Sequence, residues 1–286
     1  MAGYAVVGHV EWAEFVRVAA LPRAGEIVHA QEAWEEPGGG GAVAAAQLAK
    51  LAGGAAFFTA FGDEARGRRA AAELSAMGVD VRAVFRPEAQ RRVFVHVDGA
   101  GERTITVIGA RMGPRGSDPL PWPALAGCDG VYFTAGDVEA LRAARAARVL
   151  VATPRALDTL RAARVRLDAL VGSARDPGER VRPGELDPPP DIVVRTEGAD
   201  GGHFSRADGT TGGFRAAPLP GPLVDTYGAG DAFAAALTFG LGRGLPLDDA
   251  LALAARCGAA SLTGRGPYTA QLRLDAASQA SIGSSR

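Results

Sequence analysis

The chain has 286 residues, of which 47% are hydrophobic, 31 are Lys or Arg and 32 are Asp or Glu, so its formal net charge is −1. This length and apolar content suffice for one large α/β domain or two smaller ones with a sizeable core. A charge so close to zero argues against a nucleic-acid-binding protein, which needs a clustered cationic surface, and two cysteines are too few for a disulfide framework or a cysteine-based metal site.

The N-terminal segment predicts a protein that stays in the cytoplasm. Residues 1–12 contain no basic region followed by a long apolar stretch, so they predict neither a signal peptide nor a membrane-spanning helix. Cys128 and Cys257 lie in apolar contexts typical of buried thiols, which suits a reducing compartment. We therefore expect neither a nucleic-acid partner nor a membrane partner.

Short β-branched or aromatic runs alternate with segments of helical length and period. The runs predict buried parallel strands at 4–10, 55–61, 130–136, 148–154, 169–172 and 191–197. The helical patterns cover 42–52, 64–78, 138–147, 155–163 and 230–244. This alternation predicts the α/β class, a sandwich of helices around a central, mostly parallel sheet.

Two segments break the alternation. Residues 91–109 place Val93, Val95 and Val97 at every second position before a Gly-rich turn, which predicts a β-hairpin. Residues 11–35 are polar and aromatic and show no helical period. We expect segments 11–35 and about 84–109 to form a small β lid on a single domain that covers 1–286; ordinary surface loops are the alternative. Residues 276–286 are expected to be a flexible tail.

The stretch "VDTYGAGDAF" at 224–233 places Asp231 directly after a Gly-Ala-Gly turn that opens a predicted helix. Glycines there expose backbone amides at the positive end of the helix dipole, which forms an anion site. A carboxylate beside a bound anion is unfavourable unless it has another task, such as accepting the proton of a hydroxyl that attacks a phosphoryl group. Simple capping of the helix is the alternative.

A second candidate region follows the predicted strand 191–197. Thr196, Gly198 and Gly201 lie at its carboxyl end, where open α/β sheets bind ligands. Thr196 offers a hydroxyl, and the glycines allow a phosphate chain to approach the backbone closely.

Five segments together resemble the ribokinase-like (PfkB) carbohydrate kinase family over about residues 4–268. "DTYGAGDAF" is similar to the family's C-terminal signature, and "PGGGGAVAAAQLAKLAG" followed by "TAFGDEARG" is similar to its N-terminal signature. "LPRAGEIV", "GERTITVIGA" and "TEGADGG" follow the family's order and spacing. The resemblance implies a kinase that transfers the γ-phosphoryl group of ATP to a hydroxyl of a sugar or sugar-like small molecule.

The resemblance also implies roles for particular residues. Asp231 would be the catalytic base beside an anion hole formed by the turn Gly228, Ala229 and Gly230. The nucleotide, phosphate and cation surroundings would be formed by Thr196, Gly198, Gly201, Asp225 and Thr226. Mg²⁺ would be carried on the ATP phosphates with few direct protein ligands, and a monovalent cation is a further expectation. An exposed lid edge would allow a homodimer through the lid.

The chain departs from the family's pattern because it contains no asparagine. Glu11 and Trp12 stand where relatives often carry the sugar-binding Asn-x-Asp, so the substrate-binding carboxylate is either absent or moved to Glu11. Trp12 would stack on a ring; packing against its neighbours in the lid is the alternative. In the glycine signature, Gly40 and Val43 occupy the usual Lys and Asn places. The substrate candidates are therefore Glu11, Trp12, Gly39, Gly40, Gly41, Val43 and Arg103, the last for an anionic group.

Ser173-Ala-Arg-Asp176 replaces the Asn-x-x-Glu motif that the family links to Mg²⁺ and phosphate, so Asp176 is the candidate metal ligand. His9, His29, His96 and His203 show no metal-binding spacing, and no chemistry is expected of them.

Four other classes of protein have partial support or can be tested in the sequence. "GGGGAVAAA" formally matches a dinucleotide-binding fingerprint, but the preceding "EAWEEP" does not have the pattern of the required strand. A Walker A loop is excluded because the only lysine, Lys50, lies outside such a motif. A nucleoside kinase of the same fold and a non-catalytic ligand-binding relative remain alternatives.

Overall fold

The computed structural model describes residues 3–275, so the predicted tail at 276–286 lies outside the described residues. The strands are β1 Tyr4–Val7, β2 Glu11–Arg17, β3 Glu32–Gly38, β4 Ala55–Gly62, β5 Val79–Arg86, β6 Arg92–Val97, β7 Arg103–Ile108, β8 Gly130–Phe133, β9 Val149–Ala152, β10 Ala169–Ser173, β11 Ile192–Thr196, β12 Gly202–Arg206 and β13 Thr211–Phe214. The helices are α1 Gly40–Ala52, α2 Ala65–Ala76, α3 Val138–Ala144, α4 Leu157–Ala163, α5 Ala229–Gly242 and α6 Leu247–Ser261.

The central sheet has nine strands in the order β13-β12-β11-β10-β9-β8-β1-β4-β5. Every pairing from β11 to β5 is parallel, and β12 and β13 add an antiparallel edge. All six predicted strands lie in this sheet and pair in parallel, which confirms the predicted α/β class. The sequence analysis did not predict β5, β12, β13 or helix α6.

Helices cover both faces of the sheet because both faces of its strands are apolar. Val6 of β1 belongs to the core that packs under α1, α5 and α6, whereas its neighbour Val7 belongs to the core that packs under α3 and α4. Both side chains are fully buried. The alternation of side chains along a strand thus explains why the central strands have continuous apolar runs instead of alternating polar and apolar residues.

A second, four-stranded sheet has the order β3-β2-β6-β7 and is called the small sheet below. The predicted hairpin is present as β6 and β7, with Val95 opposite Ile105. The interpretation of 32–37 as non-strand is wrong, because β3 pairs antiparallel with β2 over its whole length. Pro37 is tolerated there because β3 is an edge strand, where a missing N–H costs no ladder bond. Residues up to Arg86 belong to β5 of the central sheet, so the small sheet resumes only at Arg92.

Among residues 3–275, no helix is long and apolar enough to cross a bilayer.

Candidate active site

A cavity of about 690 Å³ lies between the carboxyl edge of the central sheet and the small sheet. Residues at the ends of five neighbouring parallel strands line it: His9, Thr134, Thr153, Ser173 and Thr196. The small sheet contributes Glu11, Val93, Arg103, Ile105 and Val107 to the opposite wall. The cavity therefore occupies the edge at which α/β sheets bind ligands.

Asp231 lines this cavity from the first turn of α5. Gly228, the residue before α5, has a φ of 85°, a left-handed conformation that glycine adopts without strain. No side chain caps this end of the helix. The first amides of α5 thus have no acceptor inside the helix and face an anion-binding position. Gly230 also lines the cavity, whereas Ala229 does not border it.

The glycine signature approaches Asp231 from the other side. A Cβ added at Gly40 would lie 2.7 Å from Asp231 Oδ1, so only a glycine leaves this carboxylate in its place. Gly40 lines the cavity at the start of α1, and the flanking Gly39 and Gly41 pack against His9 and Glu11. Asp231 is thus held between the N termini of α1 and α5.

The surroundings of Asp231 change its acidity. Its pKa is raised to about 7, chiefly by burial and also by the negative charge of Glu179, while the positive charge of Arg103 opposes the rise. A carboxyl group with a pKa close to neutrality is suited to accept a proton from a hydroxyl and to release it again. The neighbouring amides of α5 are suited to bind the anion next to it.

The turn that precedes α5 is fastened by buried hydrogen bonds. Asp225 is fully buried, and its carboxylate accepts hydrogen bonds from the amides of Tyr227 at 2.8 Å and Gly266 at 3.1 Å. The hydroxyl oxygen of Tyr227 accepts one from the amide of Gly39 at 2.9 Å. These bonds connect the C-terminal signature with the glycine signature and fix the position of the turn.

The predicted nucleotide residues lie at the end of β11. Thr196 lines the cavity, while Gly198 and Gly201 lie just beyond it in the turn to β12. Gly201 has a φ of 86°, and a Cβ there would collide with the carbonyl oxygen of Phe214. Arg175 lies beside Gly198 and forms an ion pair with Asp200 at 2.6 Å. This corner therefore has both a close backbone approach and a cation.

An acidic pair, Asp176 and Glu179, lines the cavity beyond β10. All four of its oxygens already have partners. Asp176 accepts a hydrogen bond from the amide of Gly178 at 2.8 Å and pairs with Arg155. Glu179 accepts from Arg155 Nε at 2.9 Å and from the amide of Ser173 at 2.6 Å. The pair is thus arranged to carry charge next to a ligand and has no unengaged oxygen for direct metal binding.

Over residues 3–275, no group of three or more His, Cys, Asp or Glu side chains is arranged to hold a metal ion. The two cavity carboxylates, Asp176 and Glu179, instead suit a metal that is bound by the phosphates of a ligand. They would then lie near the water molecules of the metal's hydration shell.

The substrate candidates separate into cavity-lining and buried residues. Glu11 lines the cavity, its Oε1 lies 2.7 Å from Arg91 Nε, and burial raises its pKa while Arg91 opposes that rise. Arg103 also lines it and donates a hydrogen bond to Thr226 Oγ1 at 3.3 Å. Arg103 therefore lies close to the turn before α5.

Trp12 and Val43 do not reach the cavity lining. Trp12 is fully buried, and the guanidinium of Arg69 lies 4.7 Å from the centre of its ring. Val43 is fully buried in α1 beside Gly228. Side chains alternate along β2, so Trp12 faces away from the side on which Glu11 meets the cavity. Contact of Trp12 with a substrate ring, as expected from its position beside Glu11, is not part of this geometry.

Several cavity-lining residues were not predicted, namely His9, Arg91, Arg111, Thr134, Arg155 and Glu179. Glu179 stands three residues after Asp176, so the acidic motif extends one helical turn further than predicted. The arginines lie on three segments that only the fold brings together, and no local pattern marks them. His9 has no metal-binding spacing to the other histidines, and no other local pattern marks it as a cavity residue.

The comparison with protein families agrees with this site. The profile of the pfkB family carbohydrate kinases matches residues 1–175 and 167–273. The chain therefore belongs to the pfkB family of carbohydrate kinases. No curated protein sequence matches it significantly.

Solved structures confirm the fold. A ribokinase from Thermotoga maritima has a TM-score of 0.74 and 19% identity, with 98% of each chain covered. A ribokinase from Arabidopsis thaliana, complexed with ribose and ATP, has a TM-score of 0.72 and 20% identity, with 99% of each chain covered. A ribokinase II described from E. coli, in complex with ATP and Mg²⁺, has a TM-score of 0.74 and 20% identity, with 99% of this chain and 98% of that one covered.

Proposed function

We propose that this carbohydrate kinase transfers the γ-phosphoryl group of ATP to a hydroxyl of a sugar or sugar-like molecule bound between the small sheet and the central sheet. The position of Asp231 carries the proposal. A carboxyl group with a pKa of about 7 stands at an uncapped helix N terminus inside the cavity. A base and an anion site in direct contact are what attack of a hydroxyl on a phosphoryl group requires.

In the proposed reaction Asp231 takes the proton of the attacking hydroxyl. The amides of the Gly228-Ala229-Gly230 turn stabilise the negative charge of the phosphoryl group during transfer. Arg103, which lowers the pKa of Asp231, adds positive charge at the same place. Gly40 leaves room for the carboxylate, and Glu11 accepts hydrogen bonds from substrate hydroxyls.

The nucleotide lies on the opposite side, along the ends of β10 and β11. Thr196, Gly198 and Gly201 form its pocket, and Arg175 supplies a cation beside it. Mg²⁺, when bound with the nucleotide, would neutralise the charge of the phosphates. Asp176 and Glu179 orient the phosphate end through Arg155, which both carboxylates hold. Asp225 and Thr226 fix the turn, and a monovalent cation bound near Asp225 belongs to the same proposal.

The small sheet is the lid of this site and a surface for pairing with a second copy of the chain. All six residues of its edge strand β7 are exposed, including Ile108, which does not line the cavity. An exposed apolar edge strand favours pairing with another strand edge. Sedimentation equilibrium of the wild-type chain tests the homodimer, and a chain that stays monomeric at micromolar concentration contradicts it.

The cytoplasm is the proposed location because ATP is supplied there. Neither nucleic acid nor membrane belongs to the proposal, since the net charge is −1 and the arginines at the cavity are largely matched by carboxylates. Trp12 lies in the core, so it does not supply an aromatic face for a nucleoside base.

The test is the formation of ADP from Mg·ATP across a panel of sugars, sugar acids, sugar phosphates, polyols and nucleosides, with mass spectrometry of the product. A phosphorylated sugar derivative is the expected product. A phosphorylated nucleoside would replace the proposed acceptor class. ATP binding without turnover of any panel member would favour a non-catalytic binding protein.

A further inference from the structure

Three arginines meet at the part of the cavity next to β1. Arg91 precedes β6, Arg111 follows β7, and Arg155 follows β9, so only the fold brings them together. Burial and the positive charges of Arg91 and Arg155 lower the pKa of Arg111, and the negative charge of Glu11 opposes this. Burial and all three arginines lower the pKa of His9. Like charges held this close repel one another unless carboxylates or a ligand balance them.

The carboxylates of the cavity balance two of these arginines. Arg155 is paired with Asp176 and Glu179, and Arg91 lies 2.7 Å from Glu11. Arg111 donates one hydrogen bond, to the carbonyl oxygen of Arg155 at 3.3 Å. Within residues 3–275 no carboxylate lies within 4.0 Å of Arg111. A guanidinium has five N–H donors in a fork that matches a carboxylate or phosphate, so most of its binding capacity is unused.

Two buried polar groups beside the arginines lack partners as well. The Nδ1 atom of His9 and the Oγ1 atom of Thr134 make no hydrogen bond within the described part of the chain. The two residues are only 7% and 2% exposed, and both line the cavity. Burial, together with the positive charge of the arginines, keeps the pKa of His9 well below its usual value, so its ring is neutral at pH 7. Unpaired buried polar groups are costly, and a ligand that hydrogen bonds to them removes that cost.

The nucleotide pocket lies on the other side of Asp231 from His9, and only the transferred phosphoryl group comes as far as Asp231. His9 follows β1, and Thr196 ends β11, which stands four strand positions away in the sheet. With about 4.8 Å between neighbouring strands, the two positions are separated by roughly 19 Å. The acceptor, whose hydroxyl must reach Asp231, is the ligand that extends beyond Asp231 to Arg91 and Arg111.

We propose that the acceptor substrate carries an anionic group, a carboxylate or a phosphate, which Arg111 binds together with Arg91, His9 and Thr134. The substrate would then be a sugar acid or a sugar phosphate, oriented with its anionic end at Arg111 and the reacting hydroxyl at Asp231. This inference rests on the proposed kinase activity and narrows its substrate class. It differs from the sequence-based expectation that Arg103 would bind an anionic group, because Arg103 lies by Thr226.

The test compares matched acceptors that share one carbon skeleton: the neutral sugar, its sugar acid and its phosphate ester. We expect kcat/KM for one of the two anionic forms to exceed that of the neutral sugar by at least about 100-fold, because a bidentate charge-assisted pair is among the strongest polar contacts. The preferred form decides between carboxylate and phosphate. High salt should raise KM for the anionic form more than for the neutral sugar.

Arg111→Gln removes the unpaired guanidinium at a solvent-accessible position and is not expected to affect folding. It should lower kcat/KM for the anionic acceptor by about 10- to 100-fold and leave the neutral sugar within about threefold of wild type. Arg115→Gln is the matched control, since it removes the same charge four residues away from a side chain that does not line the cavity. It should leave both acceptors unchanged.

Equal losses of kcat/KM for neutral and anionic acceptors in Arg111→Gln would overturn the inference. A preference of the wild-type enzyme for neutral sugars would also overturn it, but would leave the proposed kinase activity intact. Isothermal titration of the same acceptors separates binding from turnover. Binding of an anionic acceptor that Arg111→Gln abolishes, without phosphorylation, would uphold the anion site and contradict the kinase. Absence of binding by every anionic form would contradict the inference.

Discussion

Replacing Gly40 by Ala adds one methyl group next to Asp231. The new Cβ would lie 2.7 Å from Asp231 Oδ1, whereas ordinary contacts begin at 3.4 Å, so the carboxylate must move by about 0.7 Å. Misplacement of a reacting group by about 1 Å can lower a rate by about 100-fold. We therefore expect kcat to fall by about 30- to 100-fold, which corresponds to about 2–3 kcal/mol of transition-state stabilisation.

The same substitution should not weaken the fold. Gly40 begins α1 and does not have a left-handed φ, so alanine is compatible with its backbone. Alanine is more favourable than glycine within a helix by about 0.5–1 kcal/mol. A thermal melt should therefore show a Tm equal to or slightly above that of wild type, and steady-state ADP formation should show the loss of kcat.

Gly54→Ala is the matched control. A Cβ at Gly54 meets no atom within 4 Å, and this glycine also lacks a left-handed φ. Its kcat should equal that of wild type. Retention of kcat within about threefold by a folded Gly40→Ala variant would refute the proposed position of Asp231 in catalysis.

Three further predictions concern acidity and stability. Because the pKa of Asp231 is raised to about 7, chiefly by burial, kcat/KM should fall about tenfold per pH unit below that pH as the base becomes protonated. Glu179→Gln should move this fall to lower pH. An unmoved pH profile would show that the charge of Glu179 does not raise the pKa of Asp231. Tyr227→Phe leaves the buried amide of Gly39 without an acceptor, so urea denaturation should show a loss of about 1–3 kcal/mol in the free energy of unfolding. Gly201→Ala places a Cβ at a φ of 86° and against the carbonyl oxygen of Phe214, so the free energy of unfolding should fall by about 1–3 kcal/mol or more and the Tm should drop. An unchanged Tm would contradict this geometry.

Local patterns predicted the central sheet well because its strands are buried on both faces. Continuous apolar runs such as 4–10 and 130–136 have few other interpretations when helical segments separate them. Strand β3 was missed because four of its residues are Glu, Glu, Glu and Pro, and its pairing with β2 and its contacts with α2 decide its conformation. Strands β12 and β13 are short, at five and four residues, and β13 has two glycines, so the local propensity for strand is weak.

In the candidate site, too, residues adjacent in the chain were predicted and residues that only the fold brings together were not. Asp231 and its turn were predicted because a carboxylate, two glycines and a helix start are adjacent in the chain. Arg91, Arg111 and Arg155 were not predicted, because each is an ordinary surface arginine in its own segment and their meeting depends on the sheet order. For Trp12 the sequence left two possibilities, stacking on a ring or packing against its neighbours. It lies in the core, because the alternation of side chains along β2 turns it away from the cavity that Glu11 lines.

The most direct test of the central claim is the turnover number of Asp231→Asn with the acceptor that wild type phosphorylates. Asparagine keeps the shape of the side chain and cannot accept the proton, so kcat should fall by about 100- to 10,000-fold. The dissociation constant for Mg·ATP should stay within about threefold of wild type, because the substitution leaves the turn intact. A folded Asp231→Asn variant that retains the wild-type kcat would show that phosphoryl transfer does not depend on this carboxylate.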